Sequence, residues 1–287
     1  MLFGGYKPAM LEKWRIKPPA AAKLVKMWLK MGENERSEAA ACAWEQGWPE
    51  QWLDNISDQA AYKMLTAVWP YADAATRKPL LSLAVRRLGG DSKQHTLLLC
   101  LLNELHDDDT PGLLLAAAFS EPDKYDVTEA AALLAPWQEA CGMALAVRFA
   151  DMPPAARRWT VRLSGELKSG GTLRVLEAAL IDAEADIRVL AAKTVQTSHL
   201  CKGEDLLDFL APALADVLPN VRMAACETLG LLGGTAAIPT LRRILAADTA
   251  WQVKAMCSSF IDRWEKRLAE DILRDEGELY LKDGDKQ

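Results

Sequence analysis

Four side chains able to do chemistry stand together at His106-Asp107-Asp108-Asp109, followed by Thr110-Pro111. An imidazole and three carboxylates are the donors used for hard cations and for proton transfer. Their spacing argues against both uses. Neighbouring carboxylates on one short loop rarely converge on one ion. Asp109 or Thr110 directly before a proline reads instead as a helix start, where an acidic run meets the positive end of the helix dipole. The two other histidines, His95 and His199, stand alone. The chain contains no G-x-x-x-x-G-K-[ST], no G-x-S-x-G and no H-E-x-x-H. The expectation is therefore a non-catalytic protein without metal or cofactor.

Six cysteines lie at positions 42, 100, 141, 201, 226 and 257, none of them in a C-x-x-C. Within apolar helical runs they read as reduced, buried core thiols of a cytoplasmic protein. A different cluster is aromatic: Trp44, Trp48, Trp52, Tyr62 and Trp69 fall within 26 residues. Such a patch suits a ligand pocket or a protein hot spot, since Trp and Tyr dominate both. It equally suits an apolar cap over the open end of stacked helices.

The elements that would position these groups are announced by a recurring phrase. Asp151 is followed by Ala156-Arg157, Asp182 by Ile187-Arg188, Asp216 by Val221-Arg222 and Asp248 by Val253-Lys254. The Asp-to-Asp steps are 31, 34 and 32 residues. A fixed period of this size marks a solenoid, whose units cannot bury their apolar faces alone. In the Asp216 copy, Leu206, Leu207, Leu210 and Leu214 mark one helix. Pro219-Asn220 then restarts the chain, and Val221, Ala224, Ala225, Thr228 and Leu229 mark a second helix. Gly230 and Gly233-Gly234 can end it. Ala191-Ala192, Ala224-Ala225 and Ala255 let neighbouring helices approach closely. Asp and Arg are each costly to bury alone, so a ladder from one unit's Asp to a neighbour's Arg is expected.

The pattern Asp-x-x-x-x-[Ile/Val]-[Arg/Lys]-x-x-Ala between Leu-rich helices resembles HEAT repeats, in the short bacterial type shared with phycobilisome-lyase-like proteins. The resemblance implies an all-α fold, an α-solenoid of HEAT-like helical hairpins. It implies a structural ladder of Asp151, Arg157, Asp182, Arg188, Asp216, Arg222, Asp248 and Lys254. It also implies that the second helices line a concave face. Their outward positions are Arg158 and Arg162, Val189 and Lys193, Met223 and Glu227, Ala255 and Ser259. The partner-binding residues expected there are Arg158, Arg162, Lys193, Met223 and Glu227. Iron hydroxylases of this repeat type use His-Glu pairs, and no histidine here is followed by Glu. Alkylpurine DNA glycosylases share the fold and place Trp and Asp in a basic groove. Here the strip begins basic and turns acidic at Glu227.

Composition agrees with the helical reading. Half of the 287 residues are hydrophobic, and the net charge is −6, which disfavours a general nucleic-acid binder. The charge is unevenly placed. Residues 1–31 carry seven basic residues against Glu12 alone, a net +6 that leaves −12 for the remainder. After Pro18-Pro19, Leu24, Trp28 and Met31 share a stripe while Lys23, Lys26 and Lys30 face water. This segment is expected either to cap the fold, with Trp28 near Trp44 and Trp48, or to dock an acidic partner or a membrane surface. No run of about 18 uncharged apolar residues occurs, so no transmembrane helix is expected. The expected layout is a basic N-terminal segment with a capping helix (1–31), atypical helical repeats (32–135), HEAT repeats (136–268) and an acidic tail (269–287) beyond a helix broken at Gly277. The function expected is a scaffold for a protein partner: an adaptor, an assembly factor or an immunity-type inhibitor.

Overall fold

The computed structural model describes residues 8–17, 19–90, 93–198, 201 and 204–284. Lys7, Pro18 and His199 lie outside the described residues. The described residues form helices and turns without a β-strand. The chain divides into two compact units, Met1–Leu133 and Leu134–Gln287.

The first unit holds α1 (Pro8–Ile16), α2 (Ala21–Trp28), α3 (Glu33–Glu45), α4 (Trp48–Asp54), α5 (Gln59–Val68), α6 (Ala74–Leu88), α7 (His95–Leu105), α8 (Thr110–Ser120) and α9 (Val127–Leu134). Aspartates start three of these helices. The Asp58 carboxylate accepts from Ala60 N–H at 2.9 Å, Asp73 from Thr76 N–H at 2.8 Å and Asp126 from Thr128 N–H at 2.9 Å. Each satisfies a donor that the first helical turn leaves unpaired. Asp126 and Glu129 stand three residues apart, the spacing of a capping box, but form only half of one. Asp126 accepts from Glu129 N–H, while the Glu129 carboxylate turns away to His95 Nε2 at 2.8 Å. The core runs through Leu53, Leu65, Leu81, Leu98, Leu101 and Leu114.

Among the described residues, those of α1 and α2 do not form a separate arm. Helix α1 packs on α3, and α2 packs on α5. Trp14 is 5% exposed and its ring lies 6.4 Å from that of Trp48. Trp28 is expected from sequence near Trp44 and Trp48; the ring contact it makes is with Tyr71. It stands edge-on to Tyr71, ring centroids 5.6 Å apart, and its carbonyl accepts from Arg36 Nε. The aromatic contact with Trp48 is made from α1, by Trp14.

The second unit is a solenoid of four helical hairpins: α10 (Gln138–Arg148) with α11 (Pro154–Leu167), α12 (Gly170–Leu180) with α13 (Ala185–Ser198), α14 (Glu204–Leu214) with α15 (Pro219–Leu232), and α16 (Ile238–Ala247) with α17 (Trp251–Gly284). The second helices stack in sequence, α11 on α13, α13 on α15 and α15 on α17. Small residues make this possible. Thr228 Oγ1 donates to Ala192 O at 2.7 Å and accepts from Gln196 Nε2 at 2.8 Å, linking α13 to α15 in the buried interior. Among the first helices, α10 and α12 cross at glycines. A Cβ on Gly171 would lie 2.3 Å from the backbone of Gly142 and Met143. Further along, α14 and α16 leave between them a groove of about 550 Å³ lined by Leu207, Leu214, Ile244 and Ala247.

Helix α15 ends at Gly233, one of the glycines expected to end it, whereas Gly230 lies inside the helix, where the Phe260 ring of α17 packs directly on its Cα. Helix α17 does not break at Gly277 but continues to Gly284. One interior glycine costs a helix about 1 kcal/mol, which favourable neighbours can absorb. One further stretch, Val127–Asp151, has the length and mean hydropathy of a membrane span, at 1.3. It is interrupted by a 3₁₀ turn at Ala135–Trp137 and contributes Leu133, Leu134, Cys141, Leu145 and Phe149 to the packed interior.

Candidate functional site

The ladder forms, and its rungs have a direction. Each arginine in the first turn of a second helix reaches forward to the aspartate of the following hairpin. Arg157 donates to Asp182 through Nε at 2.7 Å and through a terminal nitrogen at 3.0 Å. Arg188 grips Asp216 at 2.6 and 3.1 Å, and Arg222 grips Asp248 at 2.7 and 2.8 Å. The remaining terminal nitrogen turns back onto its own hairpin's turn. It meets Met152 O from Arg157, Asp182 O from Arg188 and Asp216 O from Arg222, each at 2.8 Å. The planar guanidinium fork matches both a carboxylate and a carbonyl without strain, which a lysine ammonium cannot do.

The aspartates are equally committed. Asp182, Asp216 and Asp248 each accept from the backbone N–H two residues on, at 2.8 Å, which shapes the turn into the second helix. The paired side chains are nearly buried, at 12–15% exposure for the arginines and 5–8% for the aspartates. Burial opposes ionisation of Asp216, yet the Arg188 bonds, the Leu218 N–H and the charges of Arg188 and Arg222 outweigh it and hold the carboxyl below its usual range. Asp248 is lowered chiefly by the hydrogen bond from Arg222. The same partners raise Arg188 and Arg222.

The ends of the ladder lack rungs. Asp151 is exposed, and Lys254 makes no ion pair among the described residues. The full phrase needs an arginine before it or an aspartate after it, and the outer copies each have one of these missing.

The residues expected on the partner-binding strip sit on the stacked second helices. Arg162 and Lys193 are exposed. Arg158 is engaged by Asp186 of the next hairpin, so its charge is already answered. Val189, Met223 and Glu227 are half-buried, and Ala255 and Ser259 are exposed. Taken along the stack, the strip runs from cationic through anionic to neutral.

The aromatic group is not a surface patch. Trp48, Trp52 and Trp69 are 3, 7 and 4% exposed. Trp48 contacts both Trp14 and Trp52, and Trp44 lies 5.8 Å from Trp69 while donating from Nε1 to Val68 O at 3.2 Å. The rings fill the interior of the first unit because α1 and α3–α5 close over them. The acidic loop is likewise spent on structure. Asp107 is buried; it accepts from Trp69 Nε1 at 3.1 Å and from Asp109 N–H at 3.1 Å, and it faces Arg77 Nε at 3.4 Å. Asp109 pairs with Lys78 at 3.2 Å. His106, in the left-handed region at φ 47°, turns Nδ1 to Asn103 O at 2.7 Å. Among the described residues no group of three or more His, Cys, Asp or Glu side chains could hold a metal ion.

The cysteines are free, and five are buried as expected; Cys100 is exposed and Cys201 lies in the loop before α14. The close association of Cys226 with Cys257, on neighbouring helices α15 and α17, had no signal in the sequence. The hydrogen bond between them raises the Cys226 thiol and lowers that of Cys257.

Comparison with curated proteins and with solved structures found no match to this chain. The family of HEAT repeats matches residues 173–259, which run from α12 into α17 and contain the rungs Arg188–Asp216 and Arg222–Asp248. Over that segment the chain is similar to HEAT repeats, and it is folded there as an all-α solenoid of helical hairpins.

Proposed function

We propose that this protein is a non-catalytic HEAT-type scaffold that holds a protein partner on the face formed by its stacked second helices. The observation that carries this reading is the strip Arg162, Lys193, Glu227 and Ser259, projecting from helices whose spacing the ladder fixes. A row of exposed and half-buried side chains with graded charge suits a protein surface of opposite polarity. It suits a uniform phosphate backbone poorly. Tight stacking of the second helices, beside a groove between α14 and α16, supports a curvature that puts this strip on the inner face. The free thiols fit a reducing, cytoplasmic setting. HEAT repeats serve widely as interaction scaffolds, so the fold alone carries little weight, and the charged strip must be tested directly.

The test is affinity capture from native lysate, with mass spectrometry, using the wild type and an Arg162→Glu/Lys193→Glu variant. A stoichiometric partner should be held by the wild type and lost by the variant, with helical content and melting temperature unchanged. Equal capture by both proteins would move the site off this face. The glycosylase alternative would need a carboxylate free at a groove edge. Asp107, the buried aspartate beside a tryptophan, supports it poorly, because both its oxygens already accept hydrogen bonds.

A further inference from the structure

Helices α1 and α2 are fastened to the first unit on one side and present an unanswered cationic surface on the other. Trp14 and Leu24 point inward and are buried. Around them Lys13, Lys17, Lys23, Lys26 and Lys30 are exposed, and none makes an ion pair among the described residues. Among the described residues the cation of the segment that is answered is Arg15, held by Glu45 at 3.3 Å and by Glu12 at 3.6 Å. Lys23 and Lys26 lie on α2, three residues apart and away from Leu24, and Lys30 follows in the turn just beyond the helix end.

Two aliphatic side chains stand out among these lysines. Ile16 is 87% exposed and Leu29 is 75% exposed. Ile16 follows Trp14 by two residues, roughly 200° round the helix, so it points away from the packed side. Leu29 directly precedes Lys30 at the end of α2. Isolated apolar residues are common on surfaces. Here each protrudes beside a lysine at the end of a docked helix.

We propose that this α1–α2 surface docks on an anionic phospholipid membrane. Three observations favour a lipid surface over an acidic protein. The unpaired cations are all lysines, compact point charges that need no fixed geometry from their counter-ion, whereas the arginine, which recognises carboxylates bidentately, is already occupied. The aliphatic side chains protrude instead of lining a groove, which suits insertion at a soft acyl boundary. The charge is also polarised, +6 in residues 1–31 against −12 in the remainder, which would turn the acidic body away from a negative surface. The cluster acts by adding about fivefold in membrane partitioning for each lysine near the surface, with the two aliphatics anchoring it.

The experiment is co-sedimentation of the full chain with vesicles of phosphatidylcholine alone or mixed with phosphatidylserine. Binding should require phosphatidylserine. It should be released as salt rises from about 0.1 M to about 1 M, where the screening length falls from about 10 Å to about 3 Å. Lys23→Gln/Lys26→Gln/Lys30→Gln should weaken it about a hundredfold. Ile16→Ser/Leu29→Ser should weaken it several-fold while leaving binding to soluble polyglutamate unchanged. Arg162→Glu/Lys193→Glu should leave vesicle binding intact, which separates this surface from the proposed scaffold face. Absence of binding to the mixed vesicles, or equal binding to both kinds, overturns the proposal. Binding to polyglutamate without binding to the vesicles assigns the surface to an acidic protein instead.

Discussion

Arg222 holds two consecutive turns of the solenoid at once. Its Nε and one terminal nitrogen grip Asp248 at 2.7 and 2.8 Å, while the other terminal nitrogen meets Asp216 O at 2.8 Å. Asp216 is itself gripped by Arg188. Arg222→Ala should therefore cost about 2–4 kcal/mol, because it strands a nearly buried carboxylate and frees a carbonyl. Arg222→Lys should cost less, about 1–2 kcal/mol, by keeping the charge and losing the fork. Urea unfolding at neutral pH measures both. Alanine within replicate scatter of the wild type would remove the ladder from the account of stability.

The rung also fixes a pH dependence. The folded-state pKa of Asp248 lies below its unfolded value of about 3.9. Its contribution is therefore present above about pH 4 and is lost as pH falls through the folded value. Asp248→Asn should be less stable than the wild type at neutral pH, and the gap should narrow in acid. Urea midpoints for both proteins from neutral pH to below pH 3 give the comparison. A gap that stays constant throughout would mean that ionisation of Asp248 contributes nothing to the rung.

Gly230 is a point of close approach between α15 and α17. A Cβ there would lie 2.3 Å from the Phe260 ring, and Gly230 O accepts from Trp264 Nε1 at 2.7 Å. Gly230→Ala should destabilise the fold by about 1–3 kcal/mol despite alanine's better helix propensity. Adding Phe260→Leu should recover part of the loss. If Gly230→Ala raises the melting temperature, propensity outweighs the close contact.

Residues 8–17 are part of the first unit's packing. Trp14→Ala should cost about 3–5 kcal/mol, as expected for a buried tryptophan, and deletion of residues 1–17 should lower the melting temperature similarly. Light scattering of the deletion should rise as the Trp48 and Trp52 rings lose their cover. A truncated protein that melts with the wild type would return this segment to the status of a free arm.

The ladder was legible because each of its residues is required at a fixed place. A buried carboxylate needs a cation, and the period supplies one per hairpin. What sequence could not show is direction: Arg222 lies 6 residues from Asp216 and 26 from Asp248, yet its carboxylate partner is the distant one. The role of Gly230 was misread because a glycine near a helix end signals termination, and only the ring of Phe260 reveals the other use. In α1 the signal existed. Met10, Leu11 and Trp14 share a helix face, but they stand among basic residues whose charge suggests a solvated arm. Asp107 was read as part of an acidic helix start. Its partners Trp69 and Arg77, 38 and 30 residues away in sequence, carry no local mark.

The rungs join the turn edge of three successive pairs of hairpins, whereas α14 and α16 are held apart by a groove. A stack fastened along one edge and open along another has unequal stiffness. Stretching the laced edge breaks charged hydrogen bonds, while widening or narrowing the groove breaks none of them. The second unit should therefore flex as a leaf spring does, bending about the line of rungs with its second-helix spacing preserved. Such a spring could adjust its curvature to an incoming surface and still keep Arg162 and Lys193 in register.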